Sequence, residues 1–169
     1  MHSSQNEQDN RNYAKFAKIP MLEPSNSQES KDMVKYAFDF SEKFNSIVLF
    51  RMTTRVCHSK GSVTLGERVE VPIKKYEKDF DKYVAVPAIG RKLRHKVEER
   101  LNLLKEYSET SKWNYKVDNK SKIGVIASGM SYEYTWEALG ETVDYLKLGF
   151  TYPLPRTLID EFCESHDTV

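Results

Sequence analysis

The sequence predicts an α/β protein, and three stretches predict it. Residues 123–127 (IGVIA) are a short apolar run rich in β-branched residues, the pattern of a buried strand. That run stops at Ser128-Gly129, where glycine allows a tight turn, and a helical pattern follows from Ser131 to a stop at Gly140. A second apolar run at residues 145–150 leads to Pro153-Leu154-Pro155, which sets up a helix from Arg156. Strand, helix, strand, helix within about 40 residues is the grammar of parallel strands with helices packed on them.

The chain opens with MHSSQNEQDNRNYAKFAK, a polar stretch in which Tyr13 and Phe16 are the first apolar anchors. Composition alone reads it as a terminal tail. Ser25-x-x-Gln28 is a capping-box pattern. Behind it Met33, Val34, Ala37, Phe38, Ser41 and Phe44 fall on one helical face, with Lys31, Lys35, Asp39 and Lys43 opposite. Residues 47–50 then read as a short buried strand. The next eleven residues, RMTTRVCHSKG, follow that strand's C-terminal end, the edge where open α/β sheets bind ligands. Arg51, Arg55, His58 and two threonine hydroxyls suit an anion. The same side chains serve equally as structural groups bonded to carboxylates or carbonyls.

Residues 62–120 read as a connector. Val63, Leu65, Val69 and Val71 alternate loosely, as in a strand or hairpin arm, until Pro72 interrupts. Pro87 and Gly90 precede an amphipathic helix striped by Leu93, Val97, Leu101 and Leu104. Its first turns are basic, against the helix dipole; Glu98, Glu99, Glu106 and Glu109 neutralise the charge further on, as on a solvated face. Residues 108–122 read as a polar link. After Pro155, residues 156–164 make a helix with Leu158, Ile159 and Phe162 inward. Ser165-His166-Asp167 is a turn, and Thr168-Val169 begins an apolar run that stops, so the chain looks cut at both ends.

The charged residues, 30% of the chain, nearly cancel to +1, which gives no footprint of a nucleic-acid or membrane-surface binder. Two cysteines, Cys57 and Cys163, are too few for a disulfide scaffold and fit a reducing compartment, so a cytoplasmic location is expected. No apolar run reaches the roughly 20 residues of a membrane span. Four scattered histidines and the absence of C-x-x-C offer neither a metal site nor a cluster ligand set. Gly129-Met130-Ser131-Tyr132-Glu133 lacks the last glycine of a hydrolase elbow. Ser128 and Gly129, at a helix start, can turn backbone N–H groups toward an anion, or simply make a turn. No catalytic residue is expected in these 169 residues.

GVIASG followed by SYEY and EAL, then LKLG and Tyr-Pro-Leu-Pro, resembles the transketolase-C-terminal-like domain of ferredoxin-dependent 2-oxoacid oxidoreductases, most of all the large subunit of the indolepyruvate:ferredoxin enzymes. The Arg51-x-Thr-Thr-Arg55-x-x-His58 run, VAVPAIGRKLRHKVEERL and the opening HSSQNEQDNR with YAKFAKIPMLEP resemble the same family. The resemblance implies that residues 1–60 end a pyrimidine-binding-type domain, 61–120 connect, and 121–169 begin an incomplete transketolase-C-terminal-like parallel-sheet domain. It implies oxidative decarboxylation of aryl pyruvates to acyl-CoA, with a beta subunit and ferredoxin as partners. Thiamine diphosphate, Mg and iron–sulfur clusters are implied for the full enzyme, and none for this stretch alone. Arg11 resembles the arginine that holds the 2-oxoacid carboxylate, and polar residues of the first stretch would line the substrate site. Two alternatives stay open: a sister enzyme acting on pyruvate or 2-oxoglutarate, and a non-catalytic α/β module docking a partner through the Leu93-to-Leu104 stripe.

Overall fold

The computed structural model describes residues 9–169; the polar residues 2–8, read above as part of a substrate-facing loop, lie outside them. The α/β class holds. Among the described residues, seven α-helices and six short strands run from α1 (Arg11–Ala17) and β1 (Met21–Leu22) to β6 (Phe150–Tyr152) and α7 (Arg156–Glu164). The strands form two three-stranded sheets, both mixed rather than all-parallel.

In the first sheet β1 lies between β2 (Leu49–Phe50), its parallel partner, and β6, its antiparallel one. In the second, β5 (Asp144–Leu148) lies between β4 (Gly124–Ser128), parallel, and β3 (Asn114–Val117), antiparallel. β4, helix α6 (Gly129–Leu139) and β5 are therefore the predicted βαβ unit. Gly140 ends α6 as expected, and α7 occupies the predicted residues behind Pro155. Thr168 pairs in parallel with Ile123 in an isolated bridge beside β4.

The apolar run at 145–150 divides between the sheets at Gly149. A Cβ there would lie 2.7 Å from Met33 Cε and 2.8 Å from the Trp113 carbonyl, so only glycine passes. Asn114 secures the crossing: its Oδ1 accepts from the Gly149 and Phe150 N–H groups, and its Nδ2 donates to the Ser108 carbonyl. β3 is thus a strand inside residues 108–122, which the sequence reads as a link.

α2 (Ser27–Phe44) starts one residue later than Ser25-x-x-Gln28 implies. Asn26 is its cap, accepting from the Glu29 N–H, while Glu29 bonds back to the Ser25 N–H. The buried face is turned accordingly. Met33 and Phe40 are buried, Tyr36, Ala37 and Phe44 pack beside them, and Val34 and Phe38 lie exposed. Leu22, Leu104 and Phe150 complete that core. Leu146, Leu148 and Phe162 form a second one beneath α7.

α5 (Pro87–Glu109) takes in Pro87 as its first residue, where a missing N–H costs nothing. The second half of its stripe turns inward, with Leu101 at 8% and Leu104 at 0% exposure, while Leu93 and Val97 stay half-buried. At its far end Glu109 accepts from the Thr157 and Leu158 N–H groups, capping α7 in place of a residue of α7's own. The strand predicted around Val63–Val71 is absent: residues 59–79 carry no regular structure and are exposed. The strand predicted at 47–50 shortens to Leu49–Phe50 at a sheet edge, leaving Ile47 exposed. No helix of the described residues is long and apolar enough to cross a membrane.

Candidate anion-recognition face at the strand ends

Parallel pairing brings the C-terminal ends of β1 and β2 side by side, so Glu23 meets Arg51. Arg51 Nη1 donates to Glu23 Oε1 at 2.6 Å, and its Nε to Asn10 Oδ1 at 2.7 Å. Glu23 is 3% exposed, and an unpaired carboxylate there would be costly. Of the two readings of Arg51, the geometry matches the structural one: the guanidinium is committed to a buried carboxylate.

Arg55 and His58 lie one turn on, in the short helix α3 (Thr54–His58). Both are exposed and face a recess of about 380 Å³ whose far wall is Met130 and Tyr134 of α6. Among the described residues, no hydrogen bond or ion pair engages either side chain. Ser128 and Gly129 directly precede Met130, the α6 residue that reaches the recess, and do not themselves line it. Gly129 takes φ +52°, a conformation disfavoured for side chains with a Cβ, and faces the Pro24 carbonyl. The fold thus brings Arg55, His58 and the α6 N-terminus to one place, and leaves Arg51 behind them as support.

Arg11 lies apart from the recess, at the start of α1. Asp9 grips its guanidinium through two oxygens at 2.7–2.8 Å, on the surface. That hydrogen bond holds the Asp9 carboxyl down at about 2. A substrate carboxylate reaching Arg11 must compete with Asp9 or use the other edge of the guanidinium.

The feature that sequence reasoning missed is a polar core joining β5 to the start of α2 and to α6. Lys147, in the middle of β5, is fully buried; its Nζ donates to Glu29 Oε1 at 2.5 Å and Oε2 at 2.6 Å. The signal was in the sequence: a lysine inside the apolar run YLKLGF. Ser25 Oγ lies 3.0 Å from Glu29 and 2.7 Å from Glu133, which also accepts from Asn26 Nδ2 at 2.8 Å. Glu133 sits in the early part of α6 and lines a groove of about 430 Å³ with Asn26, Lys60 and Ser62. The groove and the recess share Ser59 and Met130.

The described side chains do not fit a resident metal group. No cluster of three or more His, Cys, Asp or Glu converges among the described residues. Cys57 and Cys163 are free, exposed thiols on α3 and α7.

Known proteins give this arrangement a setting. A protein of Methanothermobacter marburgensis named indolepyruvate oxidoreductase subunit IorA is 46% identical over 168 residues, covering 96% of this chain. The chain is similar to one section of the IorA subunits. IorA proteins of Thermococcus kodakarensis and Pyrococcus horikoshii are 43% and 44% identical, over 100% and 96% of the chain. The chain spans about 27% of the length of these IorA relatives. No family model matches it, and no solved structure does.

Proposed function

We propose that these residues work as one section of a thiamine-diphosphate-dependent oxidoreductase that decarboxylates aryl pyruvates such as indolepyruvate to acyl-CoA and passes the electrons to ferredoxin. The observation that carries this reading is the 46% identity to an IorA subunit across 96% of the chain. In that assembly residues 1–60 end a pyrimidine-binding-type domain, 61–120 connect, and 121–169 belong to a transketolase-C-terminal-like domain. The parallel β4–β5 pair and the parallel bridge from Thr168 to Ile123 support the last of these. The full subunit would work in the cytoplasm with a beta subunit.

Thiamine diphosphate supplies the carbanion chemistry when bound, and its Mg, like the iron–sulfur clusters, is held by residues outside this section. What this section contributes is charge and shape. A carboxylate or phosphate leaving water for a half-dry site needs a cation and donors to replace its hydration. Arg55 and His58 supply them across the recess from the α6 N-terminus, while Arg51 braces the strand ends through Glu23. Arg11 is assigned to the 2-oxoacid carboxylate.

The test is the full-length subunit assembled with its partner, assayed with CoA and ferredoxin on indolepyruvate, pyruvate and 2-oxoglutarate. Preference for indolepyruvate is expected; preference for pyruvate or 2-oxoglutarate replaces this reading with the sister activity. Residues 1–169 assayed alone are expected to turn nothing over. In the assembled enzyme Arg11→Ala should raise KM for the oxoacid about tenfold or more, as loss of a charge-assisted pair does. Thiamine diphosphate affinity should hardly change, and unaltered oxoacid kinetics would remove Arg11 from the site.

A further inference from the structure

Lys147 is an expensive residue to bury. Its ammonium has left water entirely, in the central strand of a sheet where an apolar side chain would pack without that cost. Burial presses its pKa downward, while Glu29 and Glu133 pull it back up. The Tyr115 ring lies 5.7 Å from the ammonium. The Glu29 that it holds is no ordinary core partner, since its oxygens also accept from the Ser25 N–H at 2.8 Å and face the Ser25 hydroxyl. Ser25 stands between two carboxylates, Glu29 inside and Glu133 at the groove. A continuous polar line therefore runs from the buried amine to the wall of the groove, from β5 through α2's cap to α6.

We propose that Lys147 is a positioning residue: by gripping Glu29 it fixes Ser25, and through Ser25 the Glu133 carboxylate and the first turns of α6, so setting the width of the groove beside Arg55 and His58. Packing alone would need none of this. An apolar residue would fill the space at 147 but cut Ser25 off from the rigid sheet and leave Glu133 held by the Asn26 amide alone. The carboxylates on either side of Ser25 repel, and the single buried cation holds them at their present separation. The relay does not depend on which 2-oxoacid the assembled enzyme takes, so its test reads geometry and not turnover.

The experiment is backbone hydrogen exchange on the full-length subunit assembled with its partner. Lys147→Met is expected to speed exchange at residues 132–136, the first hydrogen-bonded N–H groups of α6, about tenfold, the effect of losing a charge-assisted bond, with α7 unchanged. Combining it with Glu29→Met removes both buried charges and should restore thermal stability. Residues 132–136 should stay fast in that double variant, because Ser25 has lost its holder. A purely structural pair would be rescued at both. Should the lysine variants fail to assemble, Ser25→Ala leaves the ion pair whole and cuts the line at its outer end, with the same acceleration expected. Unchanged exchange at 132–136 in Ser25→Ala or Lys147→Met, or its full recovery in the double variant, overturns the assignment.

Discussion

Arg51 and Glu23 illustrate how a pair of residues acquires a role from pairing geometry. Each stands just beyond a two-residue strand, and the parallel register of β1 and β2 sets them side by side. Arg51→Ala leaves the Glu23 carboxylate buried and alone, which costs about 3–5 kcal/mol. Accelerated exchange along β1 and β2 in the assembled subunit is the expected readout. His166 is a second such case. Its Nδ1 faces the Phe162 carbonyl at 2.7 Å and its Nε2 the Asp144 carboxylate at 3.0 Å, so both ring nitrogens meet acceptors. The Phe162 carbonyl, followed by the Asp144 carboxylate, raises the imidazole above its ordinary 6.5 despite burial. Burial of Asp144 works to raise its carboxyl, but N–H groups of Ser121 and Asn119 together with His166 hold it below 3.8. The histidine therefore adds stability in full below pH 6.5 and loses it as pH climbs through the raised value. Asp144 adds stability above pH 3.8 and loses it as pH falls through its lowered one. Protection of α7 amides should peak between those limits, and His166→Gln should flatten its alkaline side; an unchanged alkaline side would show that the pair does not clamp α7.

At the scale of elements, α2 shows why a helix's buried face is harder to read than its existence. Its apolar and aromatic positions, Met33, Val34, Tyr36, Ala37, Phe38, Phe40 and Phe44, spread over about 200° of the helix, wider than one buried face. Periodicity then selects a helix but not a face. Phe40 wins the interior because Tyr107 and Phe150 meet it there with ring centroids 5.2 and 5.7 Å away. The stretch at 59–79 makes the complementary point. Its alternation is that of a strand, but a strand needs a neighbour to complete its hydrogen bonds, and none of the described strands lies against it. The split at Gly149 belongs to this scale too, since it commits one apolar run to two sheets. Gly149→Ala forces a Cβ against the Trp113 carbonyl, which cannot rotate away as a side chain can. The expected loss is about 1–3 kcal/mol, shared by both sheets. Faster exchange in β3 and β6 together would register it; an effect confined to one of them would mean the crossing is not shared.

For the whole molecule, the amino-acid order determined what depends on near neighbours along the chain. The βαβ grammar of residues 123–150, the stop at Gly140, the α7 helix and the inward stripe of α5 all follow from spacing and turn chemistry within a few residues. The run from Arg51 to His58 was equally visible as a set of donors. Only the tertiary structure decided which of those donors were already committed, because Glu23 reaches Arg51 across a parallel strand pair while no described partner engages Arg55 or His58. It also decided that β6 returns to β1, that β3 exists, and that Lys147 is buried against Glu29, 118 residues away in sequence. Contacts of that kind arise when surfaces far apart in the chain are buried against each other, and the cost of stranding a charge or an N–H in the interior then selects the partner. A local pattern records which groups are offered; the closed interior determines which are taken.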